Sequence, residues 1–409
     1  MIMAPGTCNC QSAKCWSICV VHRPGLNHRW FVKALSEVDL GVRLWMLRRS
    51  PLRIKITAGF LLVSTVALAG APNPSRTLKV DAVELVAGNE IEGKEEFSAQ
   101  HGRYRYLLST QANCDAFLKT PEKFEIQLGG ACARMGPLSG DGTTDLLGVH
   151  DGKIYIFASE QCRKRFMSAP RELLDRPDPP AAGDAAAIRR GRELLDLAVK
   201  EIGGEEALSK LVSVHAEATS TTQQGDKTYT NRKAWTIRFP SDFRLEDNWN
   251  ESRWAAVATK DDAYFATDEV WTMHSQQREA LEKEFRHDPL VILQSRSRSD
   301  FVAAAGGNGK VNDRAVEYVA VSFGGATSKL AIDAENGRIH SISFRGRGPT
   351  LALGDVERNF SDFQTFEGIS VPMSASASFN GEPASGMTRR LDRVVVNPTL
   401  AAGVFERPK

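Results

Sequence analysis

Between residues 214 and 396 the chain alternates apolar and polar residues in one short run after another, and this limits its fold more than any other feature. Residues 214–222, 229–238, 243–248, 255–259, 263–266, 269–273, 316–323, 328–333, 339–344, 360–366, 370–379 and 391–396 all read as strands. A period of two puts alternate side chains on opposite faces of a strand. Many such runs at close spacing imply one strongly curved antiparallel sheet or an open barrel. A helical stretch carrying Leu281, Phe285 and Leu290 interrupts the series. Ahead of it, 189–211 is helical: Leu194, Leu195, Ala198 and Ile202 make an apolar stripe, and Gly203-Gly204 closes the first helix.

The region before the sheet contains a doubled unit. Residues 101–121 read HGRYRYLLSTQANCDAFLKTP, and residues 151–170 read DGKIYIFASEQCRKRFMSAP. Each has a Gly, a Tyr-containing strand, a Ser or Thr suited to cap a helix, and an ending in Phe-x-x-x-Pro, at Phe117/Pro121 and Phe166/Pro170. Counted from the Gly, the first copy has one residue more. Cys162 lies in the first turn of the second helix, three residues after Ser159.

This region resembles the YHS family in its periplasmic form, through 95–106 (EEFSAQHGRYRY), 115–124 (DAFLKTPEKF), the Gly129-Gly130-Ala131-Cys132-Ala133 turn, and Tyr155, Phe157, Ser159, Cys162, Phe166 and Pro170. Metal-binding members carry a Cys before the Ser, where this chain has Ala158; the first copy has Ser109 and Asn113 at these positions, with Cys114 one step off register. A two-thiolate site within one strand–helix unit is therefore lost. Two readings stay open for Cys114, Cys132 and Cys162. One is a soft-metal or redox site from Cys132 and Cys162 with Met135 or His150, for which thiolate and thioether favour copper(I). The other is a Cys132–Cys162 or Cys114–Cys132 disulfide, or inert buried thiols.

The sheet region resembles the LolA/LolB-like group. The carriers are 202–208 (IGGEEAL), 238–244 (RFPSDFR), Val270-Trp271, 332–337 (IDAENG), 362–372 (DFQTFEGISVP) and the Val396-Asn397-Pro398…Phe405 ending. The resemblance implies a half-barrel around helices with an apolar cavity for acyl chains. Trp235, Phe239, Trp249, Trp254, Phe265 and Trp271 are its candidate lining; aromatic residues on strands also serve as plain core.

Charge and targeting complete the reading. Residues 1–69 hold nine Lys/Arg and two Asp/Glu, and the rest of the chain holds 43 and 48. A mildly acidic body without a basic stripe argues against nucleic acid. Residues 46–55 are basic, 56–68 apolar, and Ala67-Leu68-Ala69 fits a cleavage site, so 46–69 reads as a signal peptide. Residues 1–45, with Cys8, Cys10, Cys15 and Cys19, read as a mis-called extension. Residues 80–175 form the YHS-like domain, 176–185 a Pro-rich linker that ties loosely, and 186–409 the half-barrel. His274, His287 and His340 are scattered, and Gly-x-Ser-x-Gly and phosphate-loop motifs are missing, so no enzyme is expected.

The expected fold is α+β: a small YHS-like α+β domain, then a LolA-like antiparallel half-barrel with helices. The expected function is a periplasmic, non-enzymatic binding protein for an apolar or lipid ligand. Its first domain would bind a metal or a periplasmic or outer-membrane protein, and the mature chain would not span the membrane. The alternative is a copper or thiol-redox accessory protein acting through Cys132 and Cys162.

Overall fold

The computed structural model describes residues 76–224, 227–249, 252–349 and 351–408. The expected signal segment and the cysteines at 8–19 lie outside the described residues.

The first lobe begins with β1 (Thr77–Leu78), just ahead of the boundary expected at residue 80. It continues through α1 (Ala82–Val86), β2 (Lys94–His101), β3 (Tyr104–Leu108), α2 (Gln111–Lys119) and α3 (Pro121–Phe124). Then come β4 (Thr143–His150), β5 (Lys153–Phe157), α4 (Glu160–Ser168) and α5 (Pro170–Leu173). The doubled unit is a structural repeat. Thr110 and Ser159 are extended N-caps whose hydroxyls accept from Asn113 N and Cys162 N. Both helices end at a residue with nearly the same backbone angles, Thr120 and Ala169, followed by a proline in the first turn of a short helix. Phe117 and Phe166 are fully buried, 4.5 Å from the Tyr106 ring and 5.0 Å from the Tyr155 ring.

The repeat reaches further back than the sequence shows. Each hairpin carries its bulge at the same place, between Lys94 and Ser98 and between Thr143 and Leu147. Isolated bridges Val80–Glu92 and Ala131–Asp141 open the two copies. Hydrogen bonds Gly93 N–Lys79 O (2.7 Å) and Gly142 N–Gly130 O (2.9 Å) match as well. The extra residue counted in the first copy is not there. Gly102 stands where Asp151 stands, each in the hairpin turn with positive φ, 55° and 49°. The sequence count had paired Gly102 with Gly152.

The second lobe opens with α6 (Ala185–Ile202) and α7 (Gly204–Ser209), and Gly203 caps the first of these at φ 139°. Strands β6 (Ser213–Gln224), β7 (Lys227–Arg238), β8 (Asp242–Trp249), β9 (Ser252–Ala258), β10 (Ala263–Ala266) and β11 (Val270–Thr272) follow. Two helices come next, α8 (Ser275–Arg286) and α9 (Pro289–Gln294), split where Asp288 caps and Pro289 opens the second. Then come β12 (Val302–Val311), β13 (Arg314–Phe323), β14 (Ala326–Ile332), β15 (Ile339–Arg347), β16 (Leu353–Phe366), β17 (Ile369–Phe379), β18 (Glu382–Pro383) and β19 (Arg389–Val396). They form one 14-stranded antiparallel sheet in the order β11-β10-β9-β8-β7-β6-β19-β17-β16-β15-β14-β13-β12, with β18 on β17.

The sheet curls. Phe243, Ala256 and Phe265 near one end share a single core with Ala303, Val319 and Val321 near the other, and α6, α8 and α9 fill the space between. The end strands β11 and β12 do not pair with each other, so the barrel stays open. Strand β12 was not foreseen. After Val302 it runs Ala-Ala-Ala-Gly-Gly, without β-formers, because α6 lies close against it: a Cβ at Gly191 would sit 2.9 Å from the Ala303 backbone.

The linker is not a loose tether. Asp178 pairs with Lys283 at 2.8 Å, Ala181 N donates to Ser322 Oγ, and Thr327 Oγ1 donates to Pro179 O. The lobes also touch directly. Gln277 Nε2 donates to Pro137 O and Leu128 N to Gln276 Oε1, while Gly129 approaches so closely that a Cβ would fall 2.2 Å from Gln277 Oε1. Glu125 accepts from Nε2 of both His101 and His274 at 2.9 Å. Because Gln276 N donates to Nδ1 of His274, the neutral ring already carries its proton on Nε2. Burial pushes the Glu125 pKa up, but the two histidines outweigh this and hold it below its ordinary value.

Candidate functional site

Strand register defines the concave face. Ala216, Trp235, Leu245 and Ala256 lie opposite one another across β6 to β9, so Trp235 points inward with the core. The same parity brings Lys233, Asp247 and Trp254 onto this face. On the other side Ala375 faces Arg389, and Arg358 lies between inward-facing Val356 and Phe360.

The six aromatic candidates separate. Trp254, Phe265 and Trp271 pack together, with ring centres 6.3 and 5.6 Å apart. Phe265 is buried core. Trp271 is also interface: the guanidinium of Arg103, from the first lobe, lies 4.0 Å over its ring. Its role as free cavity lining is corrected for that reason. Phe239 packs on the core from just beyond the end of β7. Trp235 stands with Arg389, whose guanidinium lies 4.7 Å from the ring centre. The side chain of Trp249 lies outside the described residues.

Sequence reading missed the charged part of this face. Arg358 lies 4.8 Å over Phe344, and His287 stacks on the same ring at 3.9 Å while its Nδ1 shares a 2.8 Å hydrogen bond with Ser328 Oγ. Burial, then the charges of Arg358, Lys283 and Arg286, hold the His287 pKa well below its ordinary value, so the ring is neutral. Asp288 caps α9 through Leu290 N at 2.8 Å, and burial raises its pKa. Burial and the nearby Arg358 lower that of Arg389 to about 10. Farther along, Asp247 pairs with Lys233 at 3.3 Å, yet Asp247 Oδ1 and Asn231 Oδ1 are buried without a partner among the described residues. The signal was present: an Arg in the inward register of an alternating strand is out of place in a purely apolar wall.

A void of about 30 Å³ between α6 and the sheet, lined by Ala198, Ile202, Ile339 and Phe360, suits one water. A larger groove of about 600 Å³ lies on the convex face under the C-terminal tail. Its charges are already paired, Arg244 with Glu246 at 2.6 Å and Arg407 with Asp262 at 2.7 Å, so it has little to offer an ionic ligand.

The cysteines also resolve. Cys132 is fully buried, and it accepts from the backbone N–H of Arg134 and Ala158 and lies in hydrogen-bond contact with the half-buried Cys162. Burial, then the nearby Cys162, raises the Cys132 pKa. Met135 packs in the same cluster, whereas His150 meets the Phe166 edge at 6.4 Å. Among the described residues no group of three or more His, Cys, Asp or Glu is arranged to hold a metal ion. All three cysteines are free thiols, and Cys114 sits in the other core with its thiol toward Ser98 O, so the Cys114–Cys132 staple is ruled out.

No protein-family model and no curated protein matches the chain. Solved structures similar to it include a DUF1329 family protein from Desulfovibrio piger (12% identity, TM-score 0.36, covering 53% of this chain and 97% of that one). Another is a domain assigned as an outer membrane lipoprotein-sorting protein from Vibrio parahaemolyticus (10%, 0.35, 53% and 97%). A third is a LolA superfamily protein from Nitrosomonas europaea (13%, 0.35, 53% and 96%). At these scores the likeness assigns neither ligand nor activity.

Proposed function

We propose that the chain is a non-enzymatic binding protein that takes an apolar or lipid ligand on the concave face of its half-barrel, in the periplasm. One observation carries this: an open sheet, curled round three helices, presents Trp235 and Trp254 on its inner face rather than closing on itself. Because α8 and α9 fill the interior, a long acyl chain enters as these helices give way. The lipoprotein-sorting character comes from resemblance alone. Among the described residues no helix is long and apolar enough to cross a membrane. The test is lipid extraction from residues 70–409 purified from periplasm, followed by mass spectrometry. A stoichiometric amphiphile is the expected result; protein free of lipid that also fails to take up a fluorescent acyl probe would sink the reading.

A second reading, a copper or thiol-redox accessory role of the first lobe, is favoured by the contact between Cys132 and Cys162. Cys132, Cys162 and Met135 supply two thiols and a thioether, a donor set for copper(I). Thiol counting with metal analysis tests it. Bound copper that disappears in Cys162→Ser, or reversible loss of two thiols, would support it; three inert thiols and no metal would remove it.

A further inference from the structure

The concave face carries cations that an apolar ligand does not explain. The Arg389 side chain rests on Trp235 and makes no hydrogen bond or ion pair among the described residues. Arg358 rests on Phe344, and its nearest carboxylate is the half-exposed Glu284 at 3.8 Å. Asp288, which sits in the field of both arginines, spends Oδ1 on capping α9. Lys233 is paired with Asp247, and Lys283 with Asp178. Arg286 pairs with Glu282. The two guanidinium groups therefore share one engaged carboxylate, Asp288, with the half-exposed Glu284 only at the outer side of Arg358.

Such an arrangement is costly for an empty wall. A buried cation without an anion loses hydration that nothing replaces. Stacking uses one flat face of each guanidinium and leaves its N–H edge, whose fork geometry fits a carboxylate or phosphate in two parallel hydrogen bonds. The aromatic partners fix the forks in advance, which lowers the ordering cost when an anion arrives.

We propose that Arg389 and Arg358 hold the oxyanion head of an amphiphile, carboxylate or phosphate, whose hydrocarbon tail runs past Trp235 and Trp254. This rests on the carrier reading above and names the ligand class. The asymmetry is chemical: the tail supplies area, while the head supplies the missing counter-charge.

Equilibrium binding of palmitate, hexadecyl phosphate and 1-hexadecanol to the full mature chain tests it. At least one of the two anions should bind roughly tenfold or more tightly than the alcohol, from charge-assisted hydrogen bonds. The tighter anion identifies the head. Arg389→Met should erase most of this preference, read as the ratio of anion to hexadecanol binding within the variant, and Arg389→Lys should retain part of it. If Arg389→Met fails to fold, Arg358→Met reads the same preference. Equal binding of the alcohol and both anions overturns the head site and leaves the carrier reading intact, as does a preference that survives both Met variants. Binding of none of the three overturns both.

Discussion

The two copies in the first lobe share a frame and differ at the centre. In the first copy the fully buried Asp81 accepts from Val83 N, Glu84 N, Ser109 N, Ser109 Oγ and Asn113 Nδ2, at 2.6–3.2 Å. In the second, Cys132 takes the place of Asp81: it accepts from Arg134 N and Ala158 N, and Cys162 stands where Asn113 does. Both residues also open a helical turn, through Leu85 N–Asp81 O (2.8 Å) and Gly136 N–Cys132 O (3.0 Å). The fold thus makes the same acceptor pocket twice and fills one with a carboxylate and the other with sulfur. Burial raises the pKa of Asp81, but hydrogen bonds from Asn113, Ser109 and Glu84 outweigh it and hold the carboxyl below its ordinary value. At Cys132 burial wins. A carboxylate with five donors is a structural anchor; a thiol pair with two backbone donors keeps its chemistry available.

Breaking the shared frame should have the largest effect. Phe117→Ala and Phe166→Ala should each cost about 3–5 kcal/mol in denaturant unfolding. A severalfold disparity would show that the copies are not energetically equivalent. Breaking the centres comes next: Asp81→Ala should cost about 3 kcal/mol, since it strands buried donors of charge-assisted bonds, and Cys132→Ala clearly less. Equal costs would refute the anchor-versus-thiol contrast.

Acid separates the centres further. The folded pKa of Asp81 lies below its unfolded value, near 3.9, so its contribution is full above that pH and fades as pH falls toward the folded pKa. A melting series from pH 6 to 2.5 should show extra acid loss in the parent and a shallower loss in Asp81→Asn; parallel curves would refute it. The smallest effect belongs to the caps. Thr110→Ala and Ser159→Ala should cost about 1 kcal/mol each, and a cap that costs nothing in one copy would mark that helix end as held by its neighbours.

Much of this was legible, for identifiable reasons. Alternation located most strands because one face is buried, and the caps and Phe-x-x-x-Pro endings revealed half of the repeat. The other half stayed hidden because 79–93 and 130–142 share backbone hydrogen bonds, which many sequences can make, rather than side chains. Strand β12 was masked by the small residues α6 requires. The polar floor was missed because Arg358 and Arg389 look like surface charges until neighbours fix their register. Trp271 looked like a cavity residue because a strand does not announce what the other lobe lays across it.

Strand β19 follows every other strand of the sheet along the chain, yet it sits in the middle of the sheet, between β6 and β17, with Val396 paired to Val214. The two wings of the sheet are therefore not joined strand to strand until β19 is in place. A ribosome-bound chain, or one cut before 389, holds two unjoined hairpin arrays with open edges, and the closing contact must span nearly the whole lobe. Assembly of this half-barrel waits on β19, which acts as its keystone.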